Sequence, residues 1–193
     1  MMTVVGLDLS GVETRPSGFC LLRQMTAETR VLYTDSQIIN AIRESKPEVV
    51  AVDAPLTLPP GRESIEEKTG VHLRPCDEEL LRRRIRFFPV TLGPMRKLTV
   101  RGISLKTAIR AMNLKVIEVY PGGAQDILHI PRKQKGLVFL RRGLEKLGLS
   151  GLTENLSDHE LDAATCAFVG KLFLEGKACM YGTEDYAIIM PES

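Results

Sequence analysis

Apolar positions in this chain follow two rhythms, and the switch between them predicts the order of elements. Val4, Val5 and Leu7 open a strand over residues 3–8 that ends in Asp8 and a Ser10-Gly11 turn. Residues 19–23 and 29–33 read as two more strands, with a turn at 25–28. Such short links make the three an antiparallel meander. Asp35-Ser36 is placed to cap a helix over 37–44 that buries Ile38, Ile39 and Ile42, and Pro47 ends it. Val49-Val50-Ala51-Val52 then runs apolar without alternation, as a central strand covered on both faces should, and it too ends in a carboxylate, Asp53.

Residues 58–112 break the rhythm. Pro59-Pro60-Gly61 opens a polar stretch, and a charged helix is expected over 78–86 with Glu78/Arg82 and Glu79/Arg83 at i,i+4 spacing. Phe87-Phe88-Pro89 and Gly93-Pro94 read as breaks before a helix over 104–112. A fifth strand over 115–122 carries Glu118 inside an apolar run. Arg132, Lys133, Lys135, Arg141 and Arg142 follow in a linker and a helix that ends near Gly148. Ser157-Asp158-His159-Glu160 is a capping box, and its helix runs to about Leu174 with Leu161, Thr165, Phe168 and Leu172 as the inward stripe. Residues 178–181 and 186–190 around Gly182 form a closing hairpin.

The 193 residues suit a single domain, 1–193, in which 58–112 is an insertion lying over one sheet edge. A composition of 44% hydrophobic and 26% charged residues excludes a disordered chain. Apolar runs are too short to cross a bilayer and the N-terminus lacks a signal-peptide core, so a cytoplasmic protein without a membrane partner is expected. A net charge of +2 decides nothing about nucleic acid. Cys20, Cys76, Cys166 and Cys179 are scattered, without zinc spacing, and are expected to be reduced.

Candidate chemistry lies in the acids. Asp8 either caps its turn or, with acids from other elements, belongs to a metal or phosphate site. Asp53 and Glu118 end or interrupt apolar strands in the same way. Asp162 lies past the first turn of its helix among Leu161, Ala163 and Ala164, where neither capping nor the helix dipole explains it. Carboxylates from separate elements suit Mg²⁺ or Mn²⁺. Two such ions would activate water and stabilise the leaving oxygen of a phosphodiester. No Ser/His/Asp set, Cys/His pair, P-loop or dinucleotide fingerprint competes in this sequence.

The motifs GLDLSG (6–11), VAVDAPL (50–56), RPCDEELLRRR (74–84), EVYP (118–121) and HELDAATCA (159–167) span most of the chain in order. On them the chain resembles the ribonuclease H-like superfamily, and within it the domain of unknown function 429 family, described as predicted nucleases. The resemblance implies an α/β fold: a five-stranded mixed sheet, three strands antiparallel and the rest parallel, flanked by helices. It implies Asp8, Asp53 and Asp162 as metal ligands, with Glu118 as a further catalytic acid. His159 stands where Holliday-junction resolvases of this fold carry a second Asp; it would bind metal or position water, or simply open a helix. Arg74, Asp77, Arg82 and Arg83 would meet substrate phosphates if their helix overhangs the site, and otherwise form a salt-bridged surface.

The leading reading is a metal-dependent nuclease or phosphodiester hydrolase acting on DNA, RNA or a small phosphorylated molecule. Two others compete: a nucleotide-binding phosphotransferase or ATPase of the actin-like group, and a non-catalytic module that binds nucleic acid or protein through 132–142. The actin-like group normally carries two copies of the sheet unit, and this chain has room for one.

Overall fold

A computed structural model describes residues 2–192. Strands β1 (Thr3–Asp8), β2 (Ser17–Arg23), β3 (Thr26–Leu32), β4 (Val49–Asp53) and β5 (Lys115–Glu118) form one sheet in the order β3-β2-β1-β4-β5. β1 to β3 are antiparallel, while β4 and β5 run parallel to β1 and to each other. Parallel register sets Asp8 opposite Asp53 at the strands' C-terminal ends. The β2–β3 hairpin is tighter than its sequence suggests: Arg23 pairs with Thr26, and Gln24 turns the chain in the left-handed region at φ 54°. β3 therefore starts at Thr26, on an edge where polar residues are tolerated.

Three helix boundaries depart from the expected ones, each because of end chemistry. Helix α1 (Asp35–Ser45) is capped by Thr34, which accepts from the Gln37 N–H at 3.2 Å while Gln37 accepts from the Thr34 N–H at 3.1 Å. Asp35 is released to pair with Arg101 at 2.8 Å. Helix α2 covers Pro75–Arg82 and α3 runs from Gly93 to Arg110, so Pro75 begins a helix and Pro94 opens one instead of breaking the chain. A proline in the first turn gives up an N–H that has no partner there anyway. For the same reason β5 stops at Glu118 and Pro121 opens α4 (Pro121–Ile127).

The sheet is covered on both faces. α1 and α3 close one side over Val5, Leu7, Val50, Val52 and Val116. The other side holds α4, α5 (Leu137–Lys146) and α6 (Asp158–Leu174), with the hairpin of β6 (Ala178–Thr183) and β7 (Tyr186–Pro191). α6 is the hub. The expected stripe is replaced by a segment buried all round, Leu161 to Gly170, because helix and sheet touch almost backbone to backbone. A Cβ on Gly6 would lie 2.0 Å from the Ala163 carbonyl oxygen, and one on Gly18 1.9 Å from that of His159. Among the described residues no helix is long and apolar enough to cross a membrane.

Candidate functional site

Strand alternation builds the site. Val4 and Val49 pack on the α6 side, Val5 and Val50 on the other, so Asp8 and Asp53 return to the α6 side at their strand ends. The first two turns of α6 face them, held by the Ser157–Glu160 capping box. His159 Nδ1 lies 2.7 Å from Asp8 Oδ2. The Gln125 amide on α4 donates to Asp162 Oδ1 at 2.8 Å and to Thr165 Oγ1 at 3.1 Å. Lys133, on a 3-10 turn over Lys133–Lys135, reaches Asp162 Oδ2 at 2.8 Å and Asp158 Oδ2 at 3.2 Å.

Asp53 stands apart. Its carboxylate makes no hydrogen bond or ion pair among the described residues, and burial, then the charges of Asp8 and Asp162, push its carboxyl well above the usual range. Burial also raises Asp162, against the pull of Lys133. The bond to Asp8 raises His159. Burial works against the Lys133 ammonium, but the charge and hydrogen bond of Asp162, with Asp8 and Asp158, together hold it above its ordinary value. The cluster is short of positive charge where the strands end. Its donors are hard oxygens and its orphaned member is a carboxylate, so the residues fit Mg²⁺ or Mn²⁺. No three of the described His, Cys, Asp or Glu side chains are gathered as a ready-made metal cage; Asp8 turns to the His159 imidazole and Asp162 to the Lys133 ammonium.

Glu118 falls outside this cluster. It sits one step after Ile117 and pairs in register with Val52, so alternation sends it to the opposite face. There it accepts from the Leu56 N–H at 2.7 Å and from both terminal nitrogens of Arg74 at 2.8 Å. Asp77 takes the remaining edge of that guanidinium at 2.9 and 3.0 Å and accepts from the Arg74 N–H at 2.8 Å. Arg74 is therefore not placed to grip a substrate phosphate: it is 2% exposed and spent on two buried carboxylates. The network fixes the turn that leaves Asp53. Arg82 and Arg83 lie on the exposed side of α2, both paired with Glu79, and Arg83 stacks over Tyr181. That is the salt-bridged surface, and the expected Glu78/Arg82 pair is replaced by Glu79/Arg82 at i,i+3.

Two site residues escape sequence reasoning. Lys133 shows only as one basic residue among several in a linker, and Gln125 gives no signal, since nothing local says that α4 packs on α6. Beside Lys133 lies a groove lined by Arg84, Arg86, Arg132 and Lys135, with Asp126 holding Arg132. A smaller cavity of about 200 Å³ opens beside Asp53, lined among others by Phe87, Phe88 and Tyr120.

The sheet order, the central α6 and acids at the strand ends define a ribonuclease H-like fold. Two solved structures share it: T. thermophilus RuvC in complex with Holliday junction substrate, at TM-score 0.56 and 15% identity over 91% of this chain and 96% of that one, and Thermus thermophilus RuvC, at 0.51 and 15% over 98% and 100%. No curated protein matches the sequence. A family profile described as "Protein of unknown function (DUF429)" matches residues 6–186, and the chain belongs to that family.

Proposed function

We propose that this protein is a metal-dependent nuclease of the ribonuclease H-like superfamily. The observation that carries the reading is Asp53: a partly buried carboxylate with no partner among the described residues, opposite Asp8 and facing Asp162 where the parallel strands end. Asp8 and Asp53 would hold Mg²⁺ or Mn²⁺, with Asp162 completing the acidic cluster beside them. When bound, such an ion lowers the pKa of water and stabilises negative charge on a phosphodiester oxygen. His159 fixes the Asp8 carboxylate through Nδ1, which sets which of its oxygens faces the site. Glu118, Arg74 and Asp77 act as positioning residues by clamping the turn after Asp53. The groove of Arg84, Arg86, Arg132 and Lys135 would track the phosphate backbone of DNA or RNA.

The test is thermal melting in Mg²⁺ or Mn²⁺ beside cleavage of branched DNA, duplex DNA and RNA, for the wild type and Asp53→Asn. The wild type is expected to melt higher with the ion. Asp53→Asn should melt at least as high as the wild type without metal, because it removes a charge the fold disfavours, and should lose most of the metal response and any cleavage. A wild type indifferent to both ions, or a metal response unchanged in Asp53→Asn, overturns the reading.

A further inference from the structure

The Asp162 carboxylate is already occupied on both sides. Gln125 donates to Oδ1 at 2.8 Å, and the Lys133 ammonium sits on Oδ2 at 2.8 Å while reaching Asp158 at 3.2 Å. Asp8 has one oxygen committed to His159, whereas Asp53 has neither oxygen committed among the described residues. The open lone pairs therefore lie between β1 and β4, and the α6 corner is filled by an ammonium carried on the chain. Lys133 is held to that corner from several sides. Its neighbour Arg132 forks onto both oxygens of Asp126, the Lys135 N–H bonds the Arg132 carbonyl at 2.9 Å, and the Gly136 N–H bonds the Lys133 carbonyl at 3.0 Å. Two ions working as a pair lie about 3.5–4 Å apart. A divalent ion at Asp162 would have to share those oxygens with a cation that the turn keeps there.

On the metal-dependent reading above, we propose that Lys133 is a tethered counter-cation in place of a second metal ion, so that the site takes one divalent ion, at Asp8 and Asp53. Lys133 then serves Asp162 as the ion serves the strand acids, by neutralising a buried carboxylate. It also leaves one positive group at a fixed position beside the basic groove, where a substrate phosphate oxygen would meet it.

Calorimetric titration with Mn²⁺, backed by counting bound Mn²⁺ by electron paramagnetic resonance, tests this on the wild type, Lys133→Met and Lys133→Arg. One ion per wild-type chain is expected. Lys133→Met should bind two, or bind its first at least tenfold more tightly, and should melt lower than wild type without metal and regain the difference in Mn²⁺. Lys133→Arg, which keeps the charge, should keep the wild-type count. Two ions on the wild type overturn the proposal without any variant, so it stays testable should Lys133→Met fail to fold. One ion on the wild type with an unchanged count and affinity in Lys133→Met overturns it too, leaving the metal-dependent reading intact. No ion on either chain ends both.

Discussion

His159 and Asp8 are 151 residues apart in sequence and share one hydrogen bond, which ties stability to pH. The folded-state pKa of His159 lies above its ordinary value, so the stabilisation is complete below about 6.5 and fades as pH rises through the raised value. Asp53 acts in the same direction for the opposite reason: its carboxyl is raised, so ionising it above about 4 costs the folded state. The metal-free protein should therefore melt higher at pH 5.5 than at pH 8. Asp8→Asn should flatten the His159 part, which is worth about 1 kcal/mol because the imidazole is still 31% exposed. Asp162→Asn is a finer probe. Burial raises Asp162 despite Lys133, so removing its charge should leave apo stability level or slightly higher, read from denaturant unfolding. A loss of several kcal/mol would mean that the Lys133 pair is structural first.

At the scale of elements, closeness places the acids. Gly6 lets β1 lie against Ala163 and Ala167, which brings His159 and Asp162 down onto the strand ends. Gly6→Ala would drive a methyl into the α6 backbone, and a loss of about 3 kcal/mol or more is expected. Arg74 is the second element-level tie. Arg74→Met leaves Asp77 and Glu118 buried without their partner, and should cost about 3–5 kcal/mol in urea unfolding. Glu118→Gln keeps an acceptor for the Leu56 N–H and should cost less. α3 makes a third tie: Arg101 bonds the Ser10 carbonyl at 2.8 Å and the Tyr33 carbonyl at 2.7 Å, so the 58–112 segment holds the turn behind Asp8 as well as the one behind Asp53.

On the whole molecule, charge is arranged so that a net +2 conceals it. Arginines and lysines from 84–86 and 132–135, far apart in the chain, converge on one groove next to the turn that carries Lys133. If that groove carries a nucleic-acid backbone, affinity should fall steeply between 50 and 200 mM salt. Changing Arg84, Arg86 and Lys135 together to Ala should flatten the slope of log K against log salt by about two to three, with binding of Mn²⁺ unchanged. A slope that stays the same would move the substrate path elsewhere.

Strands, the long capped helix and three of the acids were legible in the chain because local rules govern them. Apolar runs make strands, Ser157 and Glu160 close a capping box, and an Asp that no cap or turn explains stands out as Asp162 does. Helix starts at Gly93 and Pro121 are hidden in the sequence because proline reads as a break unless it falls in a first turn. Which acids share a face was beyond any local rule. Parity along β5, set by pairing with β4, turns Glu118 away from Asp53 and onto Arg74. Lys133 and Gln125 enter the site only because α4 and the turn after it pack against α6. The sequence by itself determined which residues are costly to bury. Tertiary structure decided which of them meet, because opposite charges and open oxygens are matched across contacts that no stretch of chain contains.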